Sequence, residues 1–400
     1  MKQQHSEMPP VRFLYATDGV RKPFTEEMLS RTVLIERPGS GKKSNKPMSY
    51  REYVRFIKDF LEDRWDDVTE IIGQRLFNPK VTIDEIEITA EKSGSDYHPA
   101  SIRFLTADKT VKFVANVALT GRGRSRLKQD FLCMEYLHRE FEEKFVPQPF
   151  LISLVEEFTE ANKPDSMVMF LAEWLEDFHE FHVTRVGNEE KTSIILWDTT
   201  GGSRILSTAD SEEIYRQVAC ILSRYFDLRD YREVFPWHHA AGDFVAKVGR
   251  EIVVKLVTVR QYEARIQSED DLVFDPNEAA LLFLCNLTIR NRLDRLDGIG
   301  ELVWIPRNYL RSTVDGFFQA IELRESLGEI QPGLATTLRL MCQNLDLAAW
   351  THLFGNTLAS FNPEAPDYEL IEYNLPQHIL EVYQLFRQSQ DSRITSQDYD

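Results

Sequence analysis

Trp237-His238-His239-Ala240-Ala241-Gly242-Asp243-Phe244-Val245, followed by a hydrophobic run over residues 252–259, is the stretch on which the fold turns. Two histidines, a Gly-Asp step and then a strand make a loop that can aim an acid at a substrate. The stretch lies in mid-chain, behind a β-rich first half and ahead of a mostly helical second half. Asp243 and His239 are the candidate reacting pair. His238 and His239 are neighbours, so in extended backbone they point to opposite sides and at most one can serve. The competing reading for either is a hydrogen-bonded histidine with no chemical role.

Working outward toward the N-terminus, the period is two. Val81, Ile83, Ile86 and Ile88 outline one strand, residues 102–105 a second and 111–119 a third. Turn residues stand at 93–96 and 107–109, so the three read as an antiparallel meander. A helix follows, marked by Phe131, Leu132, Glu135, Tyr136 and Phe141 and stopped by Val146-Pro147-Gln148-Pro149. A strand pair is expected over 151–158 and 167–174, then an acidic, aromatic connector over 175–182 and a strand near 193–197. Ahead of the sheet, Ser49 and Glu52 form a capping-box pattern. Tyr53, Ile57, Phe60, Leu61, Val68, Ile71 and Ile72 then predict one long helix. Residues 1–48 read as an irregular arm. Within it, Pro38-Gly39-Ser40-Gly41-Lys42-Lys43 imitates a phosphate-binding loop but lacks its first glycine and its final Ser/Thr.

Toward the C-terminus the period becomes helical. Ile214, Val218, Ile221, Leu222 and Tyr225 form one stripe, and Asp275-Pro276 is a strong start for a helix that is apolar on most sides. Further helices are expected near 310–326, 332–358 and 376–388, and residues 391–400 read as a frayed tail. The domain division is therefore an arm over 1–48, a sheet unit with its preceding helix over 49–175, and a helical unit over 176–390.

The net charge of −17 argues against nucleic acid and against anionic membrane surfaces as partners. No apolar run reaches membrane-spanning length, and residues 1–10 lack the apolar core of a secretory signal. Cys133, Cys220, Cys285 and Cys342 are far apart in sequence with no Cys-x-x-Cys pair, as expected of reduced core thiols in a cytoplasmic protein. His179-Glu180-Phe181-His182 is one residue short of metalloprotease spacing, and its phenylalanine fits a packed connector. No Gly-x-Ser-x-Gly elbow occurs, which removes the hydrolase reading.

A sheet and one helix over 80–175, the loop at Gly242-Asp243-Phe244 and helices thereafter resemble the protein-kinase-like superfamily, in particular its aminoglycoside phosphotransferase and choline-kinase branch. The resemblance implies an α+β, two-lobed fold with ATP as the cofactor. It also implies a strand lysine paired with a helix carboxylate, a catalytic aspartate, and an asparagine and a second aspartate on magnesium. Glu135 matches the helix carboxylate, and Asp243 resembles the catalytic aspartate, with Ala241 where the family carries histidine. Asn116 stands where the lysine is expected, and Lys112 lies on the same face of its strand, four residues earlier. Val248 replaces the asparagine, and Thr258-Val259-Arg260 replaces the second aspartate, so magnesium is not expected. Lys247 and Arg260 are candidates for holding an anion directly, joined by Arg122, Arg124 and Arg126 if the Gly121–Gly123 segment wraps one rather than forming a solvated loop. Two functions follow. One is a kinase-like protein with a diverged active site and a binding or regulatory role toward a small molecule or a protein. The other is a small-molecule phosphotransferase with Asp243 as base. An interaction protein without cleft chemistry is the third class.

Overall fold

Apolar residues at alternate positions build the central sheet of the first half. β3 (Glu85–Ala90), β4 (His98–Leu105) and β5 (Thr110–Ala118) pair antiparallel in sequence order, with Ile88 opposite Ile102 and Ile102 opposite Phe113. Phe113, Ala115 and Val117 are fully buried on one face of β5, whereas Lys112, Val114 and Asn116 are half-buried on the other. These elements belong to a computed structural model described over residues 7–17, 20–33, 48–91, 97–153, 167–187, 192–198, 201–237, 242–265, 275–298 and 300–397, with side chains to 388. The chain divides into two compact units, Met1–Glu176 and Asp177–Asp400.

In the first unit, β1 (Val11–Thr17) and β2 (Val20–Pro23) form a hairpin followed by the short α1 (Glu26–Leu29). Val11–Thr17, Val20–Pro23 and Glu26–Leu29 are thus strands and a short helix rather than an irregular arm. β1 lies parallel to β3, with Phe13 opposite Ile88, and so joins the main sheet. The phosphate-loop mimic lies outside the described residues. The expected single long helix is two, α2 (Tyr50–Asp63) and α3 (Trp65–Leu76), broken at Arg64 (φ −114°, ψ 25°). The capping box is present: Ser49 Oγ accepts from Glu52 N at 3.3 Å, and Glu52 Oε2 accepts from Ser49 N at 2.8 Å. Tyr53, Ile57, Leu61, Val68 and Ile72 of this pair pack with Ile88, Ile102, Phe104 and Phe113 in one core.

After β5 comes α4 (Gly121–Glu140), capped by Thr120 Oγ1, which accepts from Gly123 N at 3.0 Å. The glycine-arginine segment is therefore the first turns of a helix, not an anion-wrapping loop. β6 (Pro149–Ile152) and β7 (Val168–Glu173) complete a seven-stranded sheet of order β2-β1-β3-β4-β5-β7-β6, antiparallel except for β1 against β3. Phe131 of α4 meets Phe170 of β7 at 5.7 Å.

The second unit opens with a small antiparallel sheet of β8 (Glu180–Arg185), β9 (Thr192–Trp197) and β10 (Arg204–Ile205). The buried α5 (Thr208–Arg224) follows, and then β11 (Arg232–Val234), β12 (Phe244–Val248), β13 (Ile252–Leu256) and β14 (Tyr262–Ala264). β11 pairs with β14 and β12 with β13, so in sequence the second pair is nested within the first as a double ribbon. α6 (Pro276–Arg290) starts as expected, with Asp275 Oδ1 accepting from Asn277 N at 2.9 Å, and is buried along most of its length. The hairpin β15 (Leu293–Arg295) and β16 (Leu302–Trp304) precedes α7 (Asn308–Ser326), α8 (Leu334–Asn344), α9 (Leu347–Ala359) and α10 (Tyr368–Gln397). The helix expected over 332–358 is thus two, separated where Asp346 caps α9. α5 and α7 stack Tyr215 on Tyr309 at 4.5 Å. All four cysteines are buried thiols, none in a disulfide. Among the described residues no helix is long and apolar enough to cross a membrane.

Candidate functional site

The hairpin β12–β13 decides where Asp243 points. Phe244, Ala246, Val254 and Leu256 are buried on one face of the ribbon, and Phe244 stands opposite Leu256. One step beyond that register, Val257 N donates to Asp243 O at 2.7 Å, so Asp243 is fixed as the last rung of the ladder. Gly242, just before it, has φ 66°, and a Cβ there would come within 3.0 Å of the Glu180 carboxyl. The Gly-Asp step of the sequence therefore has two local causes: a left-handed turn and the close approach of a side chain.

The Asp243 carboxylate is fully buried. Both oxygens accept from one guanidinium, Arg260 Nη1 to Oδ2 at 2.5 Å and Arg260 Nη2 to Oδ1 at 2.6 Å. Arg260 Nη1 also donates to Pro236 O at 3.1 Å, tying the end of β13's exit loop to the segment ahead of Trp237. Trp237 is itself buried edge-on against Phe244 at 5.9 Å. The bidentate fork is the strongest planar pairing open to a carboxylate. With the carboxylate fully buried as well, neither oxygen is open to a substrate hydroxyl. A general base needs such an oxygen within hydrogen-bond reach of the proton it takes.

Of the other sequence candidates, Arg260 is the partner of Asp243. His239 lies outside the described residues. Lys247, four residues along β12, is half-exposed and bonds Asp177 Oδ2 at 2.8 Å. Of the two cations proposed as an anion clamp, Arg260 is therefore committed to Asp243 and Lys247 to Asp177.

In the first unit, Lys112 Nζ bonds both oxygens of Glu176, at 2.6 and 2.7 Å, and not Glu135. Glu135 is exposed on α4. The lysine–helix carboxylate pair that the resemblance implies is not formed, because β5 carries its lysine near the far end of the strand from the turn into α4. Asn116 sits on the same half-buried face as Lys112, opposite Pro99 and Phe170.

A buried charge cluster escaped the sequence reading. His182 on β8 is almost fully buried, its Nε2 lies 3.3 Å from Glu180 Oε2, and its Nδ1 lies 3.7 Å from Asp294 Oδ1. The second contact is an ion-pair distance rather than a hydrogen bond. Asp294 is fully buried and also accepts from Val183 N at 2.9 Å and Arg295 N at 2.7 Å, which staples β8 to β15. Burial pulls the His182 imidazole down, but the Asp294 and Glu180 carboxylates outweigh it and raise the group to about 9. The Trp197 ring lies 4.5 Å away. No local motif could have shown this, since Asp294 is remote in sequence. The neighbouring His179 cannot share a metal with His182: three residues apart on extended chain, they point to opposite faces. His179 instead exchanges both backbone hydrogen bonds with Ala246. Among the described residues no group of three His, Cys, Asp or Glu side chains is placed to hold a metal ion.

No protein-family model matches this sequence, and no curated protein is significantly similar to it.

Proposed function

We propose that the chain is a two-lobed, kinase-like protein of the aminoglycoside phosphotransferase/choline-kinase type whose active site has diverged, and that it acts by binding or regulation rather than by magnesium–ATP phosphoryl transfer. Support for the kinase-like part comes from element order. Five antiparallel strands, β3 to β7, carry a single helix between the third and fourth, and helices dominate after the double ribbon that holds Asp243. The observation that carries the loss of chemistry is the Asp243–Arg260 pair, a fully buried carboxylate with both oxygens on one guanidinium. Magnesium, which the resemblance implies, does not fit these residues. Its remaining donor is closed by a cation, and Val248, Thr258 and Val259 supply no carboxylate or amide. ATP is the ligand to test first, and a protein partner is the alternative occupant of a regulatory scaffold. Thermal unfolding of the full chain with ATP, with and without magnesium, separates the readings. Stabilisation that is equal in both buffers, or none at all, is expected. A magnesium-dependent rise in Tm would favour the phosphotransferase with Asp243 as base.

A further inference from the structure

We infer that the Arg260 guanidinium is the resident cation of this loop. It takes both oxygens of Asp243 in place of a divalent metal, so the site receives its ligands without one. This inference rests on the kinase-like reading, which makes a metal the expected occupant, and on the misfit between that expectation and the side chains.

The physical case begins with charge. A divalent cation needs several oxygen donors at short range, and among the described residues of this loop Asp243 is the carboxylate that the ribbon ladder holds through its own backbone. The guanidinium delivers what a metal would deliver to that carboxylate: a permanent positive charge, two short contacts and full burial of the anion. Unlike a metal, it cannot leave. Arg260 is covalently part of the exit from β13 and is held a second time by Pro236 O at 3.1 Å. A dication brought to the same oxygens would meet the guanidinium at contact distance, where like-charge repulsion in a buried setting is severe. Removing the guanidinium reverses the situation. It leaves a buried carboxylate without its cation, and glutamine at 260 adds an amide oxygen to the two of Asp243, so a small dication completed by water can take the guanidinium's place.

Manganese(II), titrated into the full chain with no nucleotide present, tests this directly. In the wild-type protein, thermal unfolding and electron paramagnetic resonance should show no manganese site that depends on Asp243. Its binding curve should match that of the Asp243→Asn/Arg260→Gln double variant, which keeps a neutral hydrogen-bonded pair. Arg260→Gln alone should gain one manganese-dependent rise in Tm that the double variant lacks. Loss of a manganese site on going from wild type to the double variant would overturn the inference. So would a folded Arg260→Gln protein with no response to manganese. If Arg260→Gln does not fold, the comparison of wild type with the double variant still decides. Because no nucleotide is used, the outcome is readable whether or not the nucleotide test above supports the kinase-like reading.

Discussion

Asp243 shows how the partner across a loop decides what a carboxylate can do. At the entrance of a strand and fully buried, it would be untenable as an isolated anion, since desolvating a charge costs far more than a folded domain can spare. Arg260 resolves that cost and converts the residue into a structural clamp. Asp243→Asn should therefore lower stability by about 3 kcal/mol, at the lower end for a broken buried pair because Arg260 keeps some solvent contact. The Asp243→Asn/Arg260→Gln double variant should recover part of that loss. Urea-unfolding midpoints of the three proteins check both. Equal losses in the single and double variants would mean that the pair is not coupled.

His182 and His378 are tuned in opposite directions. His182 is raised to about 9 by its two carboxylates, against the pull of burial. Because its folded value lies above the unfolded one, its stabilisation is complete below about pH 6.5 and is lost as pH rises through 9. His378 is held well below its ordinary value, first by burial and then by Arg292. Arg292 Nη1 can only donate, so Nδ1 of His378 accepts at 3.2 Å, and Nε2–H faces Thr288 Oγ1 at 3.1 Å, the neutral tautomer. Its contribution is present above pH 6.5 and is lost on acidification. Tm measured from pH 6.5 to 9.5 should fall less steeply in His182→Asn than in the wild type. A parallel decline in both would remove the Asp294–His182–Glu180 cluster from the explanation.

Among the elements, those whose signal is local were legible in sequence. The β3–β5 meander follows from apolar residues at alternate positions, the start of α2 from Ser49 and Glu52, and the start of α6 from Asp275-Pro276. The misses have physical causes. Leu61 and Val68 are seven residues apart, nearly two full turns, so the apolar stripe stays in phase across the break at Arg64 and gives no sign of it. The β1–β2 hairpin reads as an arm because it is ordered through a parallel pairing with β3, a non-local contact. Gly121 and Gly123 read as loop, yet a single capping threonine, Thr120, starts a helix over them. The site was half legible for the same reason. The Gly-Asp step is visible in the sequence, whereas the partners of Asp243, Lys112 and His182 are set by which strands lie side by side. The C-cap of α3 carries a testable defect: Phe77 has φ 52° and is 95% exposed. Phe77→Gly should stabilise the chain by about 1 kcal/mol by removing left-handed strain at a position that buries nothing. A loss of stability in urea would contradict this.

On the scale of the whole molecule, a mixed α+β chain with a seven-stranded, mostly antiparallel sheet and a largely helical second unit is the setting in which the loop has to be understood. The net charge of −17 opposes long-range attraction to polyanions, and it is on this ground that a basic or neutral partner is proposed rather than nucleic acid. On the kinase-like reading proposed above, Lys112 is engaged by Glu176 and Asp243 by Arg260, rather than by the groups that phosphoryl transfer needs. The most direct test is turnover of ATP by the purified full chain in magnesium buffer, followed as release of phosphate or transfer to a hydroxyl acceptor. No turnover above the protein-free rate is predicted, with wild type and Asp243→Asn alike. Magnesium-dependent turnover by the wild-type protein that Asp243→Asn abolishes, in a variant still folded at the assay temperature, would contradict it.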